Sequence, residues 1–197
     1  MSDIAAWVLP VGAGICLSAA CGFRTFVPLL CIALASHYGV MSLDAQYAWL
    51  ATTTGMIALG SAAVLEVAGY YVPLVDHALD VIATPLAMAA GTLAMFTAIG
   101  GHHGVPGWLL ALVLGGGMSG AVQLTTVKAR LLSTGVTAGF GNPLVATAEL
   151  MGATALSAVA LLWPVVATLI AAVLCLALWR TIRWLRARRV ARSVSPA

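Results

Sequence analysis

The stretch VVATLIAAVLCLALWRTIRW, residues 165–184, decides the fold of this chain. Residues 165–179 carry no charge and are rich in Ala, Leu and Val. A helix of about 20 such residues crosses a hydrocarbon core about 30 Å thick. Further apolar runs occupy residues 4–40, 47–66, 79–99, 108–126 and 143–162. The sequence therefore predicts several transmembrane α-helices.

The composition of the whole chain agrees with this prediction. Of its 197 residues, 62% are hydrophobic and 8% are charged, and the mean hydropathy is +1.05. A soluble domain carries about 25% charged residues, so a water-soluble fold is excluded. Outer-membrane barrels need segments of about ten residues that alternate apolar and polar side chains, whereas these runs are continuous. We therefore predict an all-α polytopic bundle with no separate soluble domain.

The first apolar run, residues 4–40, is too long for one ordinary crossing. It is interrupted at residues 21–24, CGFR, and Pro28 follows closely. Because Gly and Pro both weaken a helix, we expect a broken helix or a tight helical hairpin there. The chain has six spans if this run crosses once and seven if it crosses twice. We assign residues 1–187 to the transmembrane domain and residues 188–197 to a basic tail.

Basic residues predict the orientation of the bundle. They are concentrated in two places: Arg180, Arg183, Arg186, Arg188, Arg189 and Arg192 near the C-terminus, and Lys128 and Arg130 after the 108–126 run. Lys and Arg are enriched on the cytoplasmic side of a membrane, so both places are predicted to be cytoplasmic. Two spans separate them, which makes the two assignments consistent.

The C-terminal arginines also predict partners. A basic cluster beside a span suits anionic lipid headgroups, so membrane lipids are expected partners of the tail. The preference of basic residues for the cytoplasmic side already explains the cluster. No nucleic-acid partner is therefore predicted.

Ionisable residues inside a membrane are costly and usually mark a pathway, a site or a buried pair. The candidates are Arg24, Glu66, Asp76, Asp80 and Glu149, with Asn142, His102 and His103 as secondary candidates. Glu66 closes the 47–66 run, and Glu149 lies about two turns into the 143–162 run. Both should face protein or a water-filled cavity. For the two histidines, which lie among glycines, a solvated turn is expected.

Asp76 and Asp80 are four residues apart, so they share one face if Pro73 begins a helix. That face could bind a cation. For Asp76, the alternative is a favourable interaction with the positive end of the helix. With His77 and Glu66, the two carboxylates could also hold a divalent metal ion, but their spacing matches no specific metal motif. No cofactor is predicted.

Arg24 lies at the interruption of the first run, and it needs a partner because a buried unpaired charge is costly. One interpretation is a structural ion pair with Glu66 or Glu149. The other is that the same pair forms and breaks as a substrate or protons pass.

Glycines at positions 115–117, followed by Ser119, predict close helix packing, since small residues let membrane helices approach. A narrow pore lining is the alternative. Residues 14–25 also align weakly with residues 115–126. Because many transporters are duplicated units with interrupted helices, we treat this alignment as a candidate internal repeat.

Three motifs stand out along the chain. They are Gly-x-Arg-x-Phe-x-Pro-Leu at residues 22–29, Glu66 followed by Pro73, Asp76 and Asp80, and Arg130 followed by Ser133, Asn142, Pro143 and Glu149. Together they resemble a family of bacterial inner-membrane proteins catalogued as a domain of unknown function. The sequence departs from that family at Tyr70 and Tyr71, where an acidic and a basic residue are usual, and at Leu150, where a second acid is common. The resemblance implies a polytopic fold in the bacterial inner membrane and no particular activity.

Three functions fit these features. The leading hypothesis is a small, homo-oligomeric transporter or channel for a cation, a proton or a small polar solute, which uses Glu66, Asp76, Asp80 and Glu149. The second is a membrane scaffold or accessory subunit whose charges form internal ion pairs. The third is a metal-dependent or lipid-modifying membrane enzyme, which would need Asp76, Asp80 and a third ligand near the headgroups. The motifs of soluble hydrolases, P-loop proteins and dinucleotide-binding enzymes are not found, so catalysis of those kinds is not expected.

Overall fold

The structure is a computed structural model that describes residues 2–100 and 104–194. Within these ranges, the side chains of residues 2–6, 73–78, 80, 104–105, 185 and 188–194 lie outside the description. The chain forms the helices α1 (Ser2–Phe23), α2 (Phe26–His37), α3 (Thr53–Gly69), α4 (Pro73–Ala98), α5 (Gly104–Leu110), α6 (Gly117–Thr137), α7 (Asn142–Leu162) and α8 (Pro164–Val194). A 3-10 helix at Ala48–Ala51 precedes α3, and a π-helical segment at Ala111–Gly116 joins α5 to α6.

The length and apolarity of these helices confirm the predicted fold class. Four stretches are long and apolar enough to cross a membrane, namely residues 81–98, 106–137, 142–162 and 164–184. Shorter apolar helices occupy residues 7–23, 26–37 and 53–69. The protein is therefore an all-α, multi-pass membrane protein.

The first apolar run forms two helices, α1 and α2, which are separated at Arg24 and Thr25. After α2, Val40 and Met41 line a hollow together with Leu9, near the start of α1. The end of α2 therefore lies at the same end of the bundle as the start of α1. This arrangement is the helical hairpin, one of the two alternatives predicted for the interruption. With 12 residues, α2 is about 18 Å long.

The predicted run at residues 47–66 does not form one helix. It begins with the 3-10 helix and turns at Thr52, whose backbone is extended. The Thr52 hydroxyl oxygen accepts a hydrogen bond from the Gly55 amide at 3.1 Å. This side-chain cap begins α3 several residues later than the apolar run, because a helix starts where its first amides find acceptors.

Helix α1 lies at the centre of the bundle, where small residues bring it close to α4 and α6. We call Ser18, Gly91, Gly115 and Ser119 the small-residue seam. The Ser18 hydroxyl lies 2.8 Å from the carbonyl oxygen of Gly91. A Cβ atom added at Gly115 would lie 2.6 Å from the Cβ of Met95, closer than packed side chains approach. The close packing predicted for this glycine run is confirmed at Gly115 and Gly116, whereas a Cβ added at Gly117 would meet open space.

Helix α8 lies at the edge of the bundle. In the apolar stretch of α8, residues 164–184, 11% of the residues are buried. In residues 81–98 of α4, the buried share is 50% of the residues. The helix continues without a break to Val194, so the arginine-rich segment extends the same helix. The division between domain and tail at residue 187 stays a prediction.

Candidate functional site

The candidate site lies at one end of the bundle, which we call the polar end. There α1 passes into α2, α3 into α4, and α6 into α7. Arg24 and Arg130 both contact Glu149 at this end. Glu66 contacts the first residues of α2. The polar end therefore joins residues that are far apart in the sequence.

Arg24 occupies the interruption between α1 and α2, and its side chain is fully buried. Its Nη2 donates to the carbonyl oxygen of Ala146 at 2.9 Å and lies 3.3 Å from Oε2 of Glu149. Its Nε and Nη1 are buried and find no acceptor in the described part of the chain. Arg24 thus forms one of the two ion pairs that the sequence predicted, and it retains two unused donors.

Glu149 is shared by two arginines. It lies on the buried face of α7, with 4% of its side chain exposed. Arg130 of α6 donates from Nε to Oε1 at 3.1 Å and from Nη2 to Oε2. This paired geometry between a guanidinium and a carboxylate is strong and directional. Because Arg24 approaches the same Oε2, one carboxylate stabilises two buried cations.

Tyr70 packs against both arginines from the end of α3. Its ring centroid is 4.1 Å from the guanidinium carbon of Arg24 and 3.8 Å from that of Arg130. A cation over an aromatic face is stabilised by about 2 kcal/mol when water is excluded, and Tyr70 is buried. The ring therefore belongs to the site. We call Arg24, Tyr70, Arg130 and Glu149 the arginine cluster.

Glu66 caps the start of α2 from the neighbouring helix α3. Its Oε1 accepts from the Thr25 amide at 2.8 Å, and its Oε2 accepts from the Phe26 amide at 3.0 Å. The first amides of a helix lack partners within it, and a negative charge is favoured beside them. Thr25 provides no side-chain cap of its own. The carboxylate of Glu66 therefore stabilises the interruption at which Arg24 lies.

Asn142 begins α7 at the polar end. Its Nδ2 donates to the Thr134 hydroxyl oxygen at 3.0 Å, which joins the start of α7 to the end of α6. Asn142 lies on the same buried face of α7 as Glu149, about two turns earlier. It therefore helps to fix the position from which Glu149 projects.

The other acidic candidates lie in the first turns of α4, which begins at Pro73 as predicted. The side chains of Asp76 and Asp80 fall outside the described residues, and so do His102 and His103. Among the described residues, no group of three His, Cys, Asp or Glu could hold a metal ion. The acidic face of α4 and a metal site there stay predictions.

A cleft of about 240 Å³ opens between α3 and α4 beside the arginine cluster. Thr25, Glu66 and Tyr70 are its polar lining residues. The rest of its lining is apolar, with Phe26, Ala62, Leu65, Leu79, Ile82, Ala83 and Leu86. Tyr70 is therefore the side chain shared by the cleft and the arginine cluster.

Two residues of the cluster were not among the predicted site residues. Tyr70 follows an apolar run, and nothing in its sequence neighbourhood indicates a contact with arginines. Arg130 was considered as an indicator of orientation and as a member of the third motif, and its side chain proves to be buried. A signal for Arg130 does exist, because polar residues recur at helical spacing on one face of α6. All of them are buried, namely Ser119, Gln123, Thr126 and Arg130.

These positions can be compared with known families. The model of DUF4126, a domain of unknown function, matches residues 11–184. The chain belongs to the DUF4126 family. The match extends from α1 to the apolar part of α8 and includes the whole arginine cluster. No curated protein and no solved structure matches the chain.

Membership of DUF4126 agrees with the resemblance found in the sequence motifs, and it assigns no activity. The chemistry of the site must therefore be argued from its geometry. Glu149 contacts two guanidinium groups, and within the described part of the chain two nitrogens of Arg24 have no acceptor. Such a cluster can exchange ion-pair partners, and it can bind a group that presents oxygen acceptors.

Proposed function

We propose that this DUF4126 protein is a small transporter or channel for a proton or a small polar solute, in which the arginine cluster acts as the switch. The observation that carries the proposal is the sharing of Glu149 between Arg24 and Arg130 at an interrupted helix. Interrupted helices frame the substrate sites of many transporters. Buried charges in a membrane are expensive unless they serve a pathway or a pair.

Glu149 can pair with Arg24 and Arg130 in two ways, and both leave the net charge of the arginine cluster unchanged. In one, Glu149 pairs with Arg130 through both oxygens, as in the structure. In the other, Glu149 moves toward Arg24, whose Nε and Nη1 have no acceptor among the described residues. Protonation of Glu149, or arrival of a solute with acceptor oxygens, would shift the balance between them. A ligand changes such an equilibrium by its difference in affinity for the two states.

The described residues favour a polar solute with acceptor oxygens over a metal cation. Glu149 is already neutralised by arginines, and Glu66 accepts two backbone amides. A cation would have to displace these donors. The cation alternative therefore depends on Asp76 and Asp80 at the start of α4.

The proposal also includes location and assembly. Because basic residues favour the cytoplasmic side, Lys128 and the α8 arginines would put the polar end and the C-terminus in the cytoplasm of a bacterium, with the bundle in its inner membrane. We propose a homo-oligomer in which α8, at the edge of the bundle, contacts the second copy. The mass of the protein in detergent measures this directly.

Proteoliposomes test transport. Purified protein is reconstituted with a pH-sensitive dye inside, and proton and solute flux is recorded under imposed gradients. Wild type should conduct, and Arg24→Gln should lower the flux at least about tenfold, as expected when one strong charge-assisted contact is lost. The matched control is Arg180→Gln, which removes an exposed arginine of α8 and should leave the flux unchanged. If wild type shows no flux under any gradient, the proposal fails.

A membrane scaffold or accessory subunit is the second candidate, and one observation favours it. Both acidic side chains described at the polar end already have partners within the chain. A protein whose charges only hold helices together would show this pattern. It predicts no flux in the liposome experiment, together with loss of folding when the ion pairs are removed.

A further inference from the structure

The polar residues of the cleft between α3 and α4 lie at one end of it. Residues 70–72 join the two helices in a short turn, and both helices line the cleft, so they run antiparallel beside it. Glu66 and Tyr70 lie close to this turn, whereas Ala62 and Leu86 lie farther from it. The cleft therefore presents a carboxylate and a tyrosine at one end and hydrocarbon side chains at the other.

Glu66 can accept further hydrogen bonds from an occupant of the cleft. Its side chain is partly exposed, and its two oxygens accept one amide each, from Thr25 and Phe26. An ionised carboxylate offers about four acceptor positions, so each oxygen can accept a second donor without losing its amide. A charge that faces an apolar cleft in a membrane is costly unless it is paired. An occupant should therefore present a donor to Glu66.

The charge of the occupant follows from the groups that face the cleft. Among the described lining residues, the charged side chain is Glu66. Arg24 and Arg130 contact Tyr70 from the arginine cluster, but neither is among these lining residues. A positively charged donor bonds to a carboxylate more strongly than a neutral donor does. The cleft therefore favours a cation over a neutral molecule, and a neutral molecule over an anion.

The walls and the volume of the cleft define the rest of the occupant. Most of the lining is apolar, including Leu79, Ile82 and Leu86. At about 30 Å³ for each non-hydrogen atom, as in liquid water, a cleft of about 240 Å³ holds about eight such atoms. Hydrocarbon of this size would cover the apolar walls and exclude water from them. A small organic cation thus suits both ends of the cleft.

We propose that this cleft binds a lipophilic ammonium ion, with its nitrogen at Glu66 and its hydrocarbon between Ala62 and Leu86. The N–H groups of the ammonium need acceptor positions alone, so the amides of Thr25 and Phe26 keep their bonds. A metal ion would need several oxygen ligands at once and would leave the apolar walls uncovered. The site does not use the ion pairs of Glu149, so it is independent of the proposed transport.

Isothermal titration calorimetry of the full chain in detergent tests the proposal. The probes are benzylammonium, benzyl alcohol and benzoate, which are similar in size and differ in charge. Wild type should bind benzylammonium at least about tenfold more tightly than benzyl alcohol, the effect of one hydrogen bond to a charged group, and should bind benzoate most weakly. Titration into detergent alone corrects for uptake of the probes by micelles.

Three variants locate the site. Glu66→Gln should lower the affinity for benzylammonium to that for benzyl alcohol. Ala62→Phe fills the cleft and should weaken the binding of both probes at least about tenfold. The matched control is Ala68→Phe, at an exposed alanine of α3 that is turned about 200° from Glu66, and it should bind as wild type does. Thermal unfolding in the same detergent checks that each variant is folded.

Three results would overturn the proposal. The first is equal affinity of wild type for benzylammonium and benzyl alcohol. The second is a folded Glu66→Gln protein that keeps the preference for benzylammonium. The third is equal binding by Ala62→Phe and Ala68→Phe, since the probe would then lie outside the cleft.

Competition with lipids identifies the source of the ammonium group. Phosphatidylethanolamine carries an ammonium with N–H donors, whereas the quaternary nitrogen of phosphatidylcholine has none. Displacement of benzylammonium by phosphatidylethanolamine alone would support the site and assign it to a lipid headgroup. Displacement by neither lipid would support the site and assign it to a free amine. Equal displacement by both would contradict the hydrogen bond to Glu66 and overturn the proposal.

Discussion

The small-residue seam and the polar end hold neighbouring helices together in opposite ways. At the seam, Ser18, Gly91 and Gly115 let backbones approach with almost no side-chain volume. At the polar end, Arg24 and Glu149 join the helices through full charges. An added atom at the seam collides, so the seam has one way to pack. The arginine cluster has two cations for one carboxylate, so it has more than one way to pair.

This difference separates two roles. A packed seam fixes the relative positions of α1, α4 and α6, and these helices have no second way to pack there. A shared carboxylate can respond to a proton or a solute while the seam keeps the bundle intact. We therefore expect variants at the seam to change stability alone, and variants at the polar end to change stability and function together.

Glu149→Gln should have the largest effect on stability. It leaves Arg24 and Arg130 without their shared carboxylate, and breaking a buried pair costs about 3–5 kcal/mol. The free energy of unfolding in detergent, followed by circular dichroism against denaturant, measures this loss. Arg180→Gln, at an exposed arginine, serves as the control and should change stability by less than about 0.5 kcal/mol. Similar losses in the two variants would mean that the cluster does not stabilise the bundle.

Gly115→Ala should have the second largest effect on stability. Its added Cβ would lie 2.6 Å from the Cβ of Met95, and overpacking of this kind costs about 1–3 kcal/mol. Gly117 lies two residues away on the same helical run, with open space where its Cβ would be. Gly117→Ala should therefore be neutral or stabilise by up to about 1 kcal/mol, because Ala favours a helix more than Gly does. Thermal unfolding of the pair decides whether the seam restricts volume.

Tyr70→Leu should have a smaller effect, about 1–2 kcal/mol, since it removes the ring that faces both guanidinium groups. The neighbouring Tyr71 is a matched control, because it is partly exposed and its hydroxyl bonds to that of Thr147 at 2.8 Å. Tyr71→Leu should cost about 0.5–1 kcal/mol, the value of one hydrogen bond. A larger loss of stability in Tyr71→Leu than in Tyr70→Leu would show that the contacts between the Tyr70 ring and the arginines contribute little. Denaturant unfolding of both variants measures the difference.

Glu66→Gln should have the smallest effect on stability, about 1 kcal/mol, because the start of α2 loses its neighbouring negative charge and one of the amides of Thr25 and Phe26 loses its acceptor. Hydrogen exchange gives a local test. The amides of Thr25 and Phe26 should exchange faster in the variant. The amide of Gly55, which bonds to Thr52 and not to Glu66, should exchange as in wild type. Equal acceleration at all three positions would indicate general loosening of the bundle.

Much of the fold could be predicted because hydropathy directly encodes membrane helices. The interruption between α1 and α2 could also be predicted, since CGFR at residues 21–24 breaks an apolar run. The number of crossings could not be predicted. A break allows either a kink or a return, and the return depends on long-range packing, such as that which brings Val40 and Leu9 to one hollow. Such contacts join segments that the local sequence does not relate.

Site residues could be predicted from the sequence where the side chain is charged, because burying a charge in a membrane is energetically costly. Arg24 and Glu149 stand out because charges are rare in membrane helices, and they do form an ion pair. Arg130 was harder to recognise, because a basic residue beyond an apolar run is also the ordinary sign of a cytoplasmic end. The role of Glu66 was hidden for another reason. Its partners are backbone amides, which every residue except Pro carries.

The position of Glu149 in the chain has a consequence for biogenesis. Arg24 lies at the end of the first helix, while its carboxylate partner belongs to the seventh. During synthesis, five further helices emerge before Arg24 can be neutralised by Glu149. The early bundle therefore contains a cation without this partner. Arrival of α7 is the step that completes the arginine cluster.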